Sequence, residues 1–564
     1  MKPSQVSHRL LISSALLLGT FFNSTGRAET PITPTEIDLT PVVSKEISEM
    51  RITVHLSKDV VRANQRLALI FDTLGPSYER TTDEVRDLEV TDELGAVPMD
   101  APTLDGTNKV WKTARNVKGS VTYRYRVPAA STAITHLGPM TYLQSTGGGL
   151  SGLFSSFLLA PASPVVQDIT VRWHMSDGDQ AVTNFSARDF EKKMSFDDLS
   201  HTLFVAGPLI HDPAKLAGSG LVIAGLAVGE ADMRQARPWL EAAFTAMKTS
   251  FDVAVKDGYR IMVFSNDRQV SHSGVSYQGG FLFFVPAGAK LSDKANRRII
   301  AHEIVHSMVT SYGEDSEDWY NEGIADYAAI IVPKQAGLYT PREYLDLIND
   351  ESGFYYLNKM RQTPTSKFPE VKWAHAGAWT LGYSRGALYF ANLDAELRNR
   401  KIGVTVFDLV QKMNDASHRG AVTNDTWKAL LVQYAGSWAV DDWQSMLAGE
   451  LIRPATNSYG ECYIARPVVV GHYHLGFAHI VFSKGAIIKN VETDSNAFKA
   501  GLRDGDVLQE SFNEIEAAKS LAHPVTLQVL RGQKRLVISF SPHEGSEIGY
   551  QWFPKSGDVD RACL

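Results

Sequence analysis

The sequence predicts a multidomain α+β protein, and three observations support this prediction. At 564 residues the chain exceeds what one hydrophobic core usually serves, because domains typically contain about 100 to 200 residues. Up to about Gly207 the chain consists of short, β-branched segments in which polar and apolar residues alternate. After Gly220, helical patterns alternate with strand patterns. We therefore expect an antiparallel β domain followed by a mixed, mainly helical domain.

Residues 1–28 predict a secretory signal peptide. Lys2 and Arg9 give a basic beginning, residues 10–22 an apolar centre, and Gly-Arg-Ala at 26–28 a small-x-small cleavage site. The apolar centre is too short for a membrane span of about 20 residues. We therefore expect an extracytoplasmic product, periplasmic or secreted. An uncleaved membrane-anchoring segment is the alternative.

Charge and hydropathy exclude two classes of partner. The formal net charge is −7 and no cluster of lysine and arginine stands out, so we expect no nucleic-acid partner. No later stretch is long and apolar enough to cross a bilayer, so we expect no transmembrane anchor after signal cleavage.

A β-rich N-terminal domain is predicted at residues 29–210. Period-two alternation bounded by Gly, Pro and Asp predicts strands in five segments. These segments are 51–56, 67–71, 119–127, 168–173 and 202–206. By composition, residues 145–152 (Ser-Thr-Gly-Gly-Gly-Leu-Ser-Gly) predict a flexible loop, which either borders a substrate cleft or is a plain surface excursion.

The second domain is predicted at residues 211–455, and its start and stop signals place several elements. The predicted elements are a helix at 233–251, strands at 260–264 and 279–285, a helix at 290–312 capped by Ser292 and stopped by Gly313, a helix at 319–332 stopped by Pro333, and a helix that begins with the capping box Thr340-Pro-Arg-Glu343.

The run His302-Glu303-Ile-Val-His306 has the form H-E-x-x-H. Side chains four residues apart lie on one face of an α-helix, so both imidazoles can bind one ion. Glu303 projects beside that ion, where it can hold a water molecule. The run therefore predicts a site for one zinc ion per chain.

A hydrolytic zinc site needs a third protein ligand and leaves its fourth position open. Glu322, in the run Asn-Glu-Gly-Ile-Ala-Asp-Tyr, is the candidate. Asp326 falls four residues later on the same helical face, where it can accept the second ring N–H of a ligand histidine. The alternative is that H-E-x-x-H arises by chance on an ordinary amphipathic helix.

The chain contains two cysteines, Cys462 and Cys563. In an exported protein such a pair predicts a disulfide. The bond would close a loop of about 100 residues and, on the chain-entropy model, stabilise the fold by roughly 4 to 5 kcal/mol. Two free thiols are the alternative.

With these motifs the chain resembles the gluzincin metallopeptidases, the group that includes thermolysin and the membrane alanyl aminopeptidases. It is most similar to the glycyl aminopeptidase family, which joins a β-rich N-terminal domain, a thermolysin-like catalytic domain and a C-terminal PDZ domain. The resemblance depends most on residues 302–306, 321–327 and 383–398. It implies a zinc peptidase domain at 211–455, a PDZ domain at 466–545 and a tail at 546–564.

The run at 383–398 begins Tyr-Ser-Arg-Gly and is similar to the helix of these families that begins Y-x-K-G. There the tyrosine hydroxyl points at the substrate carbonyl, so the resemblance implies that Tyr383 donates to the developing oxyanion. From the residues alone Tyr383 could instead be a core aromatic. His375, shortly before this run, could reach the site or merely cap a loop.

Two features depart from the family pattern. The link between His306 and Glu322 is shorter than is usual there. In addition, these aminopeptidases have a Gly-rich strand with a glutamate that binds the free amine of the substrate. We assign that strand to residues 277–284, with Gly279, Gly280 and Phe281 as substrate-contacting residues, and the glutamate is missing. The strand can still pair with a peptide backbone.

The C-terminal region resembles PDZ domains in two runs. Leu475, Gly476 and Phe477 resemble the loop that binds a carboxylate, and residues 496–508 resemble the A-x-x-A-G-L-x-x-G-D-x-I turn. Strands are predicted at 485–491, 525–530 and 536–540. The resemblance implies that protein C-termini bind at this loop and add to the sheet edge. A closed domain with a purely structural role is the alternative.

These observations predict an exported zinc metallopeptidase that hydrolyses peptide bonds, acting as an aminopeptidase on short peptides. In the mechanism that the resemblance implies, Glu303 takes a proton from water and later gives it to the leaving amine. Two alternatives stay open: a zinc endopeptidase whose PDZ domain tethers substrates, and a catalytically silent PDZ binding or scaffold protein. The intact Glu303 beside two histidines argues against the silent protein.

Overall fold

The computed structural model has the predicted multidomain α+β architecture and describes residues 34–559 with internal gaps. The gaps are 59, 62–64, 73–84, 107, 130–141, 214–219, 256–257, 267–271, 311–317, 373–377, 421, 479–483, 513 and 520–523. The predicted signal peptide, His375 and Cys563 lie outside the described residues. Within the described ranges, no helix has the length and apolar character that a membrane crossing requires.

The N-terminal part is built almost entirely of strands. They are β1 (Thr35–Val43), β2 (Ser48–Leu56), β3 (Ala68–Asp72), β4 (Arg86–Asp92), β5 (Gly95–Ala96), β6 (Thr103–Asp105), β7 (Asn108–Lys112), β8 (Val121–Pro128), β9 (Gln144–Thr146), β10 (Gly149–Leu153), β11 (Ala160–Pro161), β12 (Gln167–Trp173), β13 (Gln180–Thr183), β14 (Phe190–Met194) and β15 (Leu203–Gly207), with one short helix, α1 (Phe196–Ser200).

Three sheets enclose the N-terminal core, in the orders β14-β12-β1-β2-β8-β4-β5, β11-β3-β7-β6 and β13-β15-β10-β9. All five predicted strands are confirmed, as β2, β3, β8, β12 and β15. In β2, β8 and β12 alternate residues are buried in one apolar cluster, as the period-two pattern predicts. The expectation of an antiparallel domain holds for every pairing except that of β1 with β12, which is parallel.

The predicted flexible loop at 145–152 is wrong. These residues form the β9–β10 hairpin, whose second strand is buried along its whole length. The glycines are required by close contact, because a Cβ on Gly149 would overlap the Ala206 carbonyl oxygen and one on Gly152 would overlap that of Tyr142. A glycine-rich composition predicts flexibility, whereas in this hairpin glycine permits tight packing.

The central part combines one sheet with a set of helices. Its elements are β16 (Ile210–Asp212), β17 (Leu221–Leu226), α2 (Glu230–Phe251), β18 (Tyr259–Asn266), β19 (Ser273–Tyr277), β20 (Gly280–Pro286), α3 (Lys294–His306), α4 (Asp318–Gln335), α5 (Pro341–Tyr356), α6 (Phe368–Val371), α7 (Leu381–Asn399), α8 (Val406–Ser417), α9 (Asn424–Tyr434) and α10 (Ser437–Leu447). The sheet order is β16-β17-β18-β20-β19.

Most predicted helices are present, with corrected ends. Helix α3 is shorter than predicted, because it begins after Asp293 rather than at a Ser292 cap and ends at His306. Helix α4 continues through Pro333 to Gln335. The capping box at the start of α5 is confirmed: the Thr340 hydroxyl accepts the Glu343 amide at 3.2 Å, and the Glu343 carboxylate accepts the Thr340 amide at 2.9 Å.

Two glycines allow helices α4 and α7 to approach closely. A Cβ on Gly386 would overlap the Trp319 carbonyl oxygen and lie 2.6 Å from the Gly323 Cα atom. Gly323 follows the candidate ligand Glu322, and Gly386 lies three residues after Tyr383. The helix contact therefore sets the separation of these two predicted site residues.

The C-terminal part consists of β21 (Tyr463–Tyr473), α11 (Asn496–Lys499), β22 (Val507–Leu508), α12 (Glu514–Lys519), β23 (Val525–Arg531), β24 (Lys534–Phe540) and β25 (His543–Pro554). Strands β23 and β24 are as predicted. The strand predicted at 485–491 is reduced to one bridge between Ile487 and Val507. The tail predicted to begin at 546 also needs correction, because strand β25 runs to Pro554 and pairs with β21.

Helix α5 connects the central and C-terminal parts. The Asn349 amide group donates to the Trp552 carbonyl at 3.0 Å and accepts the Trp552 amide at 2.8 Å. The Lys519 ammonium lies 3.0 Å from the Asp350 carboxylate. Buried side chains of the two parts belong to one continuous apolar cluster. The C-terminal part is thus packed on the helical part.

Replacing Gly386 by alanine is expected to lower stability by about 1 to 3 kcal/mol, because the added methyl group overpacks the contact between α4 and α7. The measurement is the midpoint of denaturant unfolding. Gly403→Ala is the matched control, since a Cβ there meets nothing within 4 Å. Equal midpoints for the two variants would contradict the packing role of Gly386.

Candidate metal centre

Helices α3 and α4 bring the three predicted ligands together. The Nε2 atoms of His302 and His306 are 2.9 Å apart, and the Glu322 Oε2 atom lies 3.1 Å from the first and 3.2 Å from the second. The two histidines are one helical turn apart on α3, and Glu322 reaches them from the first turns of α4. The short link therefore still permits the predicted ligand set.

This triangle of donor atoms fits a zinc ion. Two imidazole nitrogens and one carboxylate oxygen are a frequent ligand set of hydrolytic zinc. Bonds of about 2.0 to 2.1 Å to a tetrahedral ion separate neighbouring ligand atoms by about 3.3 Å. Among the described residues, these three are the His, Cys, Asp or Glu side chains whose ligand atoms converge closely enough for a metal.

The charge on Glu322 is maintained although the side chain is largely buried. Burial by itself would raise the pKa of this carboxyl group. The neighbouring His306 and His302 imidazoles, through charge and hydrogen bonds, outweigh burial and hold the pKa of Glu322 below its ordinary value. The group is therefore an ionised ligand at neutral pH.

Asp326 fixes the orientation of His302, as predicted for the residue four positions after Glu322. Its Oδ1 atom lies 2.8 Å from the His302 Nδ1 atom, and both side chains are buried. An N–H at Nδ1 donated to this carboxylate leaves Nε2 unprotonated and directed at the metal position. Asp326 Oδ2 also forms an ion pair with the Arg298 guanidinium, at 3.0 Å.

Glu303 lies beside the ligand triangle, buried and hydrogen-bonded to the neighbouring strand. The Ser276 hydroxyl on β19 is 2.7 Å from Glu303 Oε2. A Cβ on Gly274 would overlap the Glu303 carboxylate, so a larger residue at this position would displace that side chain. Burial raises the pKa of Glu303, which favours a group that can take up and return a proton.

The segment predicted to contact substrate does not lie at the edge of the sheet. Gly280 and Phe281 belong to β20, which is paired on both sides by β18 and β19 and therefore has no free edge. Gly279 lies in the turn before β20. The strand at the edge of the sheet is β19, Ser273–Tyr277, and it is the strand that contacts Glu303. Which strand lies at the edge follows from the order of strands in the sheet, and the sequence pattern does not reveal that order.

Tyr383 lies at the start of α7, stacked on a predicted metal ligand. Its ring is 5.7 Å from that of His302 with an angle of 14° between the planes, and the Trp379 ring is 5.7 Å away and nearly perpendicular to it. Burial, together with the charges of Glu322 and Asp318, raises the pKa of Tyr383 well above its ordinary value. The hydroxyl therefore keeps its proton and can donate.

Several residues at this centre were missed in the sequence. They are Gly274 and Ser276, which border Glu303, and Arg298, which pairs with Asp326 and with Glu351 on α5. No motif marks these residues. The available signal was the position of Arg298 four residues before His302, which places it on the ligand face of the helix.

The other predicted sites lie away from the metal centre. Leu475, Gly476 and Phe477 form a buried turn in the C-terminal part, with Gly476 at φ 77°. Cys462 is disulfide-bonded, and Cys563, the other cysteine of the chain, is outside the described residues. Its pairing with Cys462 stays a prediction.

Comparison with solved structures supports the architecture. An aminopeptidase N family protein from Idiomarina loihiensis aligns with a TM-score of 0.70 at 14% identity, over 93% of this chain and 99% of that chain. This chain has the same fold. No family model matches the sequence, and no curated protein matches it.

Two further structures align less well. An M1 zinc metallopeptidase from Deinococcus radiodurans gives a TM-score of 0.46 at 16% identity, over 75% of this chain and 95% of that chain. Native yeast LTA4 hydrolase gives a TM-score of 0.47 at 12% identity, over 75% of this chain and 68% of that chain. Because both scores are below 0.5, the fold assignment depends on the first alignment.

Proposed function

We propose that this protein is a zinc-dependent metallopeptidase that hydrolyses peptide bonds, acting as an aminopeptidase on short peptides outside the cytoplasm. The observation that carries this proposal is the position of Glu303 beside three convergent ligand atoms, with its carboxylate bound by Ser276. A base held next to an open metal position is the minimum arrangement for metal-assisted hydrolysis.

His302, His306 and Glu322 would hold the zinc ion. When bound, zinc acts as a Lewis acid that polarises the scissile carbonyl and lowers the pKa of a coordinated water. Glu303 accepts a proton from the attacking water and returns it to the leaving amine. The Ser276 hydroxyl, donating to Oε2 at 2.7 Å, fixes the carboxylate in the orientation that both transfers require.

Tyr383 would stabilise the oxyanion that develops on the scissile carbonyl. Burial raises the pKa of Tyr383 well above its ordinary value, so the hydroxyl is protonated at neutral pH. Stacking on His302 places the ring next to the metal position, so the hydroxyl is preorganised. Preorganised donors of this kind cost no reorganisation during the reaction.

The edge strand β19 supports binding of an extended peptide. Its outer side has no strand partner among the described residues, so its backbone groups can pair with a substrate backbone. The same strand contacts Glu303 through Gly274 and Ser276. A peptide paired with β19 would therefore pass directly beside the base.

One observation favours an endopeptidase, which cleaves within a peptide, over an aminopeptidase, which removes the first residue. Strand β19 reads Ser-Gly-Val-Ser-Tyr and contains no carboxylate that could bind a substrate ammonium group. The second candidate is therefore a zinc endopeptidase whose C-terminal PDZ domain tethers substrates. A catalytically silent PDZ scaffold is the third candidate, and the complete metal centre argues against it.

We also propose that the C-terminal part is a PDZ domain. The sheet β22-β23-β24, the helix α12 and the glycine turn at Leu475–Phe477 support this proposal. Because α12 packs on α5, one wall of the expected groove is attached to the helical part of the protein. This attachment favours a structural role in addition to binding of a peptide C-terminus.

Glu303→Gln is expected to abolish peptide hydrolysis while keeping zinc, because the variant loses the base but no ligand. Tyr383→Phe is expected to lower kcat about 100- to 1,000-fold, the usual cost of one oxyanion donor. Tyr434→Phe, in α9 and remote from the centre, is the matched control and should match the wild type. The measurements are steady-state kinetics and metal analysis.

Hydrolysis by Glu303→Gln at the wild-type rate would refute the mechanism.

Cleavage of paired peptides that differ only in a free or acetylated amino terminus separates the first two candidates. The proposed aminopeptidase should release the first residue of the free peptide and leave the acetylated one intact, because only an exopeptidase requires the free amine. Mass spectrometry of the products, with and without a chelator, gives the cleavage position. Internal cleavage of both peptides would establish the endopeptidase instead.

A further inference from the structure

A fully buried carboxylate, Glu351, lies behind the metal centre, and the mechanism described above does not use it. Its side chain is 0% exposed, in the middle of α5. Burial raises the pKa of this carboxyl group, and the charge of Asp326 adds to the effect while Arg298 opposes it. Burying a carboxylate costs free energy, so its presence calls for a compensating partner.

That partner is Arg298, which connects Glu351 to the metal ligands. The Arg298 guanidinium forms an ion pair with Glu351 and lies 3.0 Å from Asp326 Oδ2. Asp326 in turn holds His302 Nδ1 at 2.8 Å. Four side chains from three helices thus form one continuous chain of contacts that ends at the metal-facing imidazole.

A contribution to folding stability does not explain the buried ion pair of Arg298 and Glu351. Replacing a buried ion pair by apolar side chains of similar size is often neutral or stabilising, so such a pair is weak evidence for a stabilising role. A planar guanidinium between two carboxylates does, however, fix both of them in one geometry. Fixing Asp326 is what keeps His302 in the tautomer and orientation that bind a metal.

We propose that Arg298 and Glu351 are positioning residues that set the zinc affinity of the site by fixing Asp326 and, through it, His302. This inference rests on the proposed zinc function. Helix α5 is itself attached to the C-terminal part through Asn349 and Asp350, so the helix that carries Glu351 is held in place.

The structure contains a matched control for this role. Arg297, the preceding residue on α3, forms an ion pair with Glu343, which also lies on α5. The side chains of Arg297 and Arg298 are equally exposed, at 17%. Both pairs therefore link the same two helices, but only the Arg298 pair contacts Asp326.

The test is the zinc affinity of full-length variants, measured by competition with a chromophoric zinc chelator. Arg298→Met is expected to weaken zinc binding roughly 10- to 100-fold, the usual effect of losing a residue that orients a metal ligand. Arg297→Met should bind zinc as the wild type does. The double variant Arg298→Met/Glu351→Met removes the pair without leaving Glu351 unpaired, and it should show the same loss as Arg298→Met.

Thermal unfolding of the metal-free proteins separates positioning from stability. The proposal requires that zinc affinity, measured at a temperature at which every metal-free variant is folded, falls in the two Arg298 variants and not in Arg297→Met. Equal affinities of the Arg298 and Arg297 variants would overturn the positioning role and leave the proposed function intact. A wild-type protein that binds no zinc would overturn both.

Discussion

The structure depends on the convergence of three side chains, His302, His306 and Glu322. Two imidazole nitrogens and one carboxylate oxygen lie within 3.2 Å of one another in a largely buried position. Bringing these electron-rich atoms so close together is favourable only when a positive charge, a metal ion or a proton, lies between them. Helix α3 supplies two of the donors by its own periodicity. The third comes from α4, whose position is fixed where Gly323 meets Gly386 on α7. Backbone packing therefore sets the geometry of the metal centre.

Helix α5 connects this centre to the rest of the molecule. On one side Glu351 pairs with Arg298, which holds the Asp326 carboxylate behind His302. On the other side Asn349 binds the backbone of strand β25. The C-terminal part therefore packs against the same helix that supports the residues behind the metal centre.

Patterns within a few neighbouring residues were sufficient to predict the two histidine ligands and the start of helix α5. The spacing of His302 and His306 requires only helical periodicity, and the capping box of α5 requires only residues within four positions of one another. The edge strand of the central sheet could not be found in this way, because β19 differs from β20 by its place in the sheet rather than by its composition. Likewise, the need for glycine in the β9–β10 hairpin can be seen only from the backbone atoms of neighbouring segments, which a Cβ would overlap.

Zinc K-edge X-ray absorption spectroscopy of the purified, zinc-loaded protein measures the ligand set of the metal centre. We expect a four-coordinate ion with two imidazole nitrogens and oxygen ligands at about 2.0 to 2.2 Å and no sulfur. His306→Ala should remove one imidazole contribution from the spectrum. A sulfur ligand at about 2.3 Å, or an unchanged spectrum for His306→Ala, would contradict the assignment of the metal centre.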